Sequence, residues 1–139
     1  MINREELIKV SGRASRAKGY RWEYDIVKFA VRIFPKFRRN GNVNGPNDVG
    51  DFDGVDGWIL EAKNRSPLRI GEWLRETAAK AKKYGYRWYA LLVKQRGKGV
   101  EDGMFIMSIP DGLTLIWEHR QMSRFLESKG YGPSDWADS

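Results

Sequence analysis

Trp88-Tyr89-Ala90-Leu91-Leu92-Val93 is six apolar or aromatic residues without interruption. An extended chain places successive side chains on opposite faces, so such a run has no face to offer water. Arg87 to Gln95 is therefore read as a central strand covered on both sides. Trp58-Ile59-Leu60-Glu61-Ala62-Lys63 makes a similar demand. Ile59, Glu61 and Lys63 share one face, and the large apolar Trp58 and Leu60 share the other with Ala62. Two strands that need cover on both faces, with helical sequence before and between them, predict an α/β sandwich with a mixed central β-sheet flanked by helices.

The helical segments follow from apolar spacing. From Arg21 to Phe34, Trp22, Ile26, Phe29 and Ile33 recur at helical intervals, with Val27, Ala30 and Phe34 alongside, and Pro35 marks the exit. Ser66-Pro67 breaks the pattern after the first buried strand. A second helix follows from about Gly71 to Tyr84, with Trp73, Leu74, Thr77, Ala78 and Ala81 inward and Gly85 as its C-cap. Phe37 to Arg39 reads as the start of a strand leading into a turn-rich loop over residues 40–47. Arg96 to Gly99 reads as a basic turn. Met104 to Ser108 and Leu113 to Trp117 read as a hairpin around Pro110-Asp111-Gly112, and Ser123 to Lys129 as a short closing helix. The reading is of one domain over residues 1–139, with a basic, flexible segment over 1–19 and an acidic tail over 132–139.

Glu and Lys at alternate positions of a doubly covered strand are costly to bury unless paired or holding an ion. Upstream, Gly54-Val55-Asp56-Gly57 is rich in residues that accept positive φ, so the chain can fold back and set Asp51 or Asp53 beside Glu61. Two converging carboxylates suit a hard divalent cation, magnesium or manganese, better than zinc. An E-x-K triplet alone also fits a solvated hairpin. The covered strand, the upstream acid and the basic chain weigh against that.

These residues resemble the PD-(D/E)XK nuclease superfamily, and within it the small Holliday junction resolvases of archaea and phages. Gly50-Asp51 stands where that family has Pro-Asp, Glu61-Ala62-Lys63 fits its E-x-K, and Lys18-Gly19-Tyr20-Arg21-Trp22-Glu23 matches its basic segment followed by an early helical glutamate. The resemblance runs from Ser15 to about Gln95. It implies a restriction-endonuclease-like fold in which Asp51 and Glu61 bind Mg2+ or Mn2+, Lys63 positions or activates the attacking water, and Glu23 completes the acidic cluster. Asp48 and Asp53 are rivals for the metal aspartate. Asp51 is preferred because the apolar Phe52 follows it. By the same resemblance Gln95, at the end of its strand, is a polar residue within reach of the site. The resemblance further implies a homodimer, since two symmetric strands must be cut.

Charge agrees with a polyanionic partner. The 139 residues carry a net +7. Residues 1–50 hold 11 Lys/Arg against 5 Asp/Glu, 51–100 hold 11 against 6, and 101–139 hold 3 against 7, so the basic part is the part with the motif. Such a balance favours phosphate contacts. Arg13, Arg16, Lys18, Arg21, Arg38, Arg39, Lys80 and Lys83 are the expected DNA contacts. The absence of cysteine excludes a disulfide scaffold, a thiol nucleophile and cysteine-ligated zinc. The single histidine, His119, makes a Ser-His-Asp triad a poor reading and is given no role. No stretch approaches the roughly 20 apolar residues of a membrane span and no signal pattern opens the chain, so a cytoplasmic protein is expected (host cytoplasm if phage-encoded). The functional expectation is a metal-dependent endonuclease, a Holliday junction resolvase acting on four-way DNA junctions. The alternatives are a restriction-like or repair nuclease on duplex or flap DNA, and a non-catalytic DNA-binding protein of the same fold.

Overall fold

The structure is a computed structural model that describes residues 4–40 and 49–132, with side chains from residue 12 onward. Asp48, most of the 40–47 loop and nearly all of the acidic tail lie outside the described residues. The chain forms two compact units, Met1–Ile106 and Met107–Ser139.

The first unit runs α1 (Arg4–Ala30), β1 (Arg38–Arg39), β2 (Phe52–Asp53), β3 (Trp58–Lys63), α2 (Ile70–Tyr84), β4 (Trp88–Val93), a 3-10 turn (Val100–Asp102) and β5 (Met104–Ile106). The three longer strands form a mixed sheet in the order β3-β4-β5. β3 and β4 are parallel, with Glu61 opposite Leu91 and Lys63 opposite Val93, and β4 and β5 are antiparallel. β4 is thus the central strand its sequence requires, with Ala90, Leu91 and Val93 wholly buried.

Alternation along β3 assigns its two covers. Ile59 packs with Ala81 of α2, and Glu61 pairs with Lys80 of the same helix. Trp58 and Leu60 face the other way and share an apolar cavity of about 430 Å3 with Trp22, Ile26 and Phe29 of α1. The Trp22 indole crosses to the sheet and donates from Nε1 to the Leu92 carbonyl at 3.0 Å. α2 buries Trp73, Thr77 and Ala81 at four-residue intervals, the stripe that drives an amphipathic helix onto a sheet. It ends at Gly85, in the left-handed region, where the Tyr86 N–H returns to the Ala81 carbonyl at 2.8 Å.

Three parts differ from the sequence reading. α1 begins at Arg4, well inside the stretch read as flexible over 1–19. β2 takes its ladder partner from β1, with Arg38 opposite Asp53 and Arg39 opposite Phe52, and Phe37 and Phe52 pack with ring centroids 5.0 Å apart. Gly54 (φ 103°) permits this pairing, because any Cβ there would stand 2.4 Å from the Lys36 carbonyl oxygen. Of the expected hairpin the first strand is present as β5, whereas the expected second strand, Leu113 to Trp117, and the short closing helix are one helix in the second unit, α3 (Ile109–Ser128). Pro110 sits in its first turn, where a missing N–H costs nothing, and the Ser108 side chain caps the Asp111 N–H at 3.2 Å.

Tryptophan use is divided. Trp22 and Trp73 are buried, Trp58 and Trp88 stack at 5.5 Å, and Trp117 on α3 is exposed. Among the described residues no helix is long and apolar enough to cross a membrane.

Candidate active site

The backbone at Gly50 is what brings an acid to β3. Its φ of 85° is open to glycine and closed to proline, whose ring holds φ near −65°. A Cβ there would also lie 3.1 Å from Ile59 Cγ2 and 3.3 Å from the Leu60 oxygen, so the glycine lets the chain lie directly along the free edge of β3. Asp51 then donates its N–H to the Leu60 carbonyl (3.1 Å) and accepts the Ala62 N–H on Oδ2 (2.8 Å). The two bonds flank Glu61 and hold the carboxylates of Asp51 and Glu61 side by side.

Glu61 is 6% exposed, and its charge is met by Lys80 Nζ from α2, hydrogen-bonded to Oε1. Among the described residues Asp51 has no cation of its own. Burial, then the adjacent Glu61 charge and a hydrogen bond shared with it, push its pKa up to about 7, against a smaller downward pull from the Ala62 N–H. Glu23 on α1 adds repulsion to Asp51 from farther off and is itself bound by Arg39 Nε at 2.7 Å. The rival Asp53 lies in a different setting. It is exposed and takes Arg38 Nη2 at 2.7 Å and Nε at 3.1 Å. That hydrogen bonding, helped by the Gly54 N–H, draws its carboxyl below the ordinary range.

Lys63 shares the face of Glu61, and its ammonium stands 5.5 Å from the centroid of the Trp73 ring. Gln95 is exposed and directs its amide to the Asp102 carbonyl, which ties the turn before β5 rather than serving the carboxylates. Of the expected DNA contacts, Arg38, Arg39 and Lys80 are each held by an acid. Arg13, Arg16, Lys18 and Arg21 are exposed on α1, and Lys83 is exposed on α2.

Lys80, expected as a DNA contact, is half-exposed and turns its ammonium to Glu61. It follows Trp73 by seven residues and Thr77 by three, which puts it on the buried stripe of α2. That spacing is the available signal.

The donor set fits a hard cation. Among the described residues no group of three or more His, Cys, Asp or Glu closes around one point. Asp51 and Glu61 are two hard oxygen donors that crowd one another without an ion, the donor type that magnesium takes. The apolar cavity under α1 has no titratable group among its described lining residues and offers no such chemistry. Comparison with protein-family models, with curated proteins and with solved structures gives no match for the chain.

Proposed function

We propose that the first unit is a restriction-endonuclease-like sandwich and that the protein is a metal-dependent DNA endonuclease of the Holliday junction resolvase kind. The observation that carries the reading is the Asp51–Glu61 pair on a covered strand. Two adjacent carboxylates, one held at a pKa of about 7, are an unfavourable arrangement that a divalent cation would relieve. Glu23 approaching from α1 and Lys63 following Glu61 on the same face support the same reading.

Asp51 and Glu61 would hold Mg2+ or Mn2+. When bound, such an ion supplies the positive charge that polarises a phosphodiester and lowers the pKa of the attacking water. Lys63 orients that water and offsets charge developing on the phosphate. Lys80, whose side chain is 41% exposed, has solvent to swing into when it leaves Glu61. The reaction is in-line hydrolysis, and no protein nucleophile is needed. Two copies acting on two symmetric strands make a homodimer the expected form, in the cytoplasm.

A second reading, a DNA-binding protein of this fold without the chemistry, is favoured by one observation: Lys80 neutralises Glu61, and Lys63 rests on Trp73 instead of on a carboxylate. A labelled, immobile four-way junction incubated with the protein, with and without magnesium and beside Glu61→Gln, separates the readings. Paired symmetric nicks that require metal and vanish in the variant are expected. Binding without nicks would establish the second reading. Equal nicking of plain duplex or flaps would make the protein a general or repair nuclease.

A further inference from the structure

Because β3 and β4 are parallel, the loops leaving their C-terminal ends emerge side by side, joined by the Lys94 N–H to the Lys63 carbonyl at 2.9 Å. They and α1 enclose a groove of about 720 Å3. Five cations line it: Lys18 and Arg21, three apart on α1, Arg65 after β3, and Lys94 and Arg96 after β4. No carboxylate is among the described lining residues. None of the five forms an ion pair with a described acid, whereas Arg38, Arg39 and Lys80 each do. Lys94 is fixed in place, donating from Nζ to the Lys98 carbonyl at 2.8 Å and lying 5.8 Å from the Trp22 ring centroid.

Five cations in one concavity, none ion-paired with a described acid, gather mobile anions around them. A polyanion threading the groove replaces those anions and gains by releasing its own counterions. The groove starts one residue beyond Lys63. At about 3.3 Å per extended residue, Arg65 stands at most about 13 Å from Glu61 along the chain, about four phosphates of one strand.

We propose that this groove is the seat of the nucleic-acid backbone that flanks the cleaved phosphodiester, with Arg65 and Arg96 as phosphate contacts. The position of the strand relative to the acid pair rests on the endonuclease reading, but binding in the groove does not. Arg65 and Arg96 are exposed, so their truncation leaves the core untouched.

The test is fluorescence anisotropy of the full chain with labelled four-way junction DNA, in EDTA so that no cleavage intervenes, over a series of salt concentrations. Arg65→Ala/Arg96→Ala is compared with Lys28→Ala/Arg32→Ala, an equal loss of charge elsewhere on the first unit. The groove pair should weaken binding more than tenfold at low salt and reduce the slope of log affinity against log salt by about two. Lys28→Ala/Arg32→Ala should change affinity less than threefold. Equal losses in both double variants, or an unchanged slope in the groove pair with its melting temperature intact, would overturn the proposal. If the wild-type protein fails to nick DNA yet the groove pair alone loses binding, the endonuclease reading falls and the groove stands.

Discussion

The two lysines around Glu61 divide a task that the E-x-K spacing assigns to one. Lys80 compensates the glutamate without any ion, and Lys63 does not. Removing one member of a buried charged pair leaves the other uncompensated. Lys80→Met should therefore cost about 1–3 kcal/mol in the metal-free protein, seen as a melting temperature lower by several degrees. Magnesium should then raise the variant's melting temperature more than the wild type's, because the ion no longer competes with an ammonium. Lys63→Ala should melt near wild type and bind junction DNA while losing cleavage. Full cleavage by Lys63→Ala would remove that lysine from the mechanism. Magnesium effects on melting that are equal in Lys80→Met and wild type would separate Lys80 from the ion site. Strand alternation is enough to place Glu61 and Lys63 on one buried face. Lys80 escapes a sequence reading because lysines on an amphipathic helix mostly mark its wet side, and only the registers to Trp73 and Thr77 contradict that.

Among the elements, β3, α2 and β4 are legible in the sequence, the strands because their apolar residues fall on both faces and demand cover on both sides, and the helix by its 3.6-residue period. β1–β2 is half legible: Phe37 to Arg39 is marked as a strand, but its partner across a long loop is fixed by the Phe37–Phe52 contact and the Arg38–Asp53 pair, which are not local in sequence. α3 is easily misread because Pro110-Asp111-Gly112 is good turn chemistry, and the same residues are also good first-turn helix chemistry. The deciding residue is Ser108, whose hydroxyl oxygen accepts the Asp111 N–H. Ser108→Ala should cost about 1 kcal/mol and, since the cap closes only the first turn, speed amide hydrogen exchange over residues 111–114 while leaving the end of the helix unchanged. Unaltered exchange there would mean that Pro110 alone sets the start of the helix.

For the molecule as a whole, the acid pair turns pH into a stability variable. In the unfolded chain Asp51 gives up its proton at an ordinary pKa of 3.8, and in the native, metal-free protein it holds it to about 7. Between those values the native state carries the extra proton, so stability falls as pH rises, and above about 7 the contribution is gone. Asp53 acts in the opposite sense, since its lowered pKa adds stability that is lost only as pH falls below the ordinary carboxylate range, and it is silent from pH 5 to 8. A tenfold difference in proton affinity between the folded and unfolded chain is worth about 1.4 kcal/mol, which makes the Asp51 effect on the order of a few kcal/mol, a sizeable share of the roughly 5–15 kcal/mol that holds a domain folded. Metal-free protein should consequently melt at a lower temperature at pH 8 than at pH 5. Asp51→Asn, which cannot ionise, should flatten that slope and melt above wild type at pH 8, even as it forfeits the ion. Magnesium should restore the wild type at pH 8 and do little for the variant, because the repulsion that the cation would relieve is no longer there. A pH slope of the same size in Asp51→Asn would place its origin in other groups and leave the carboxylate pair without the strain on which the metal-site reading depends.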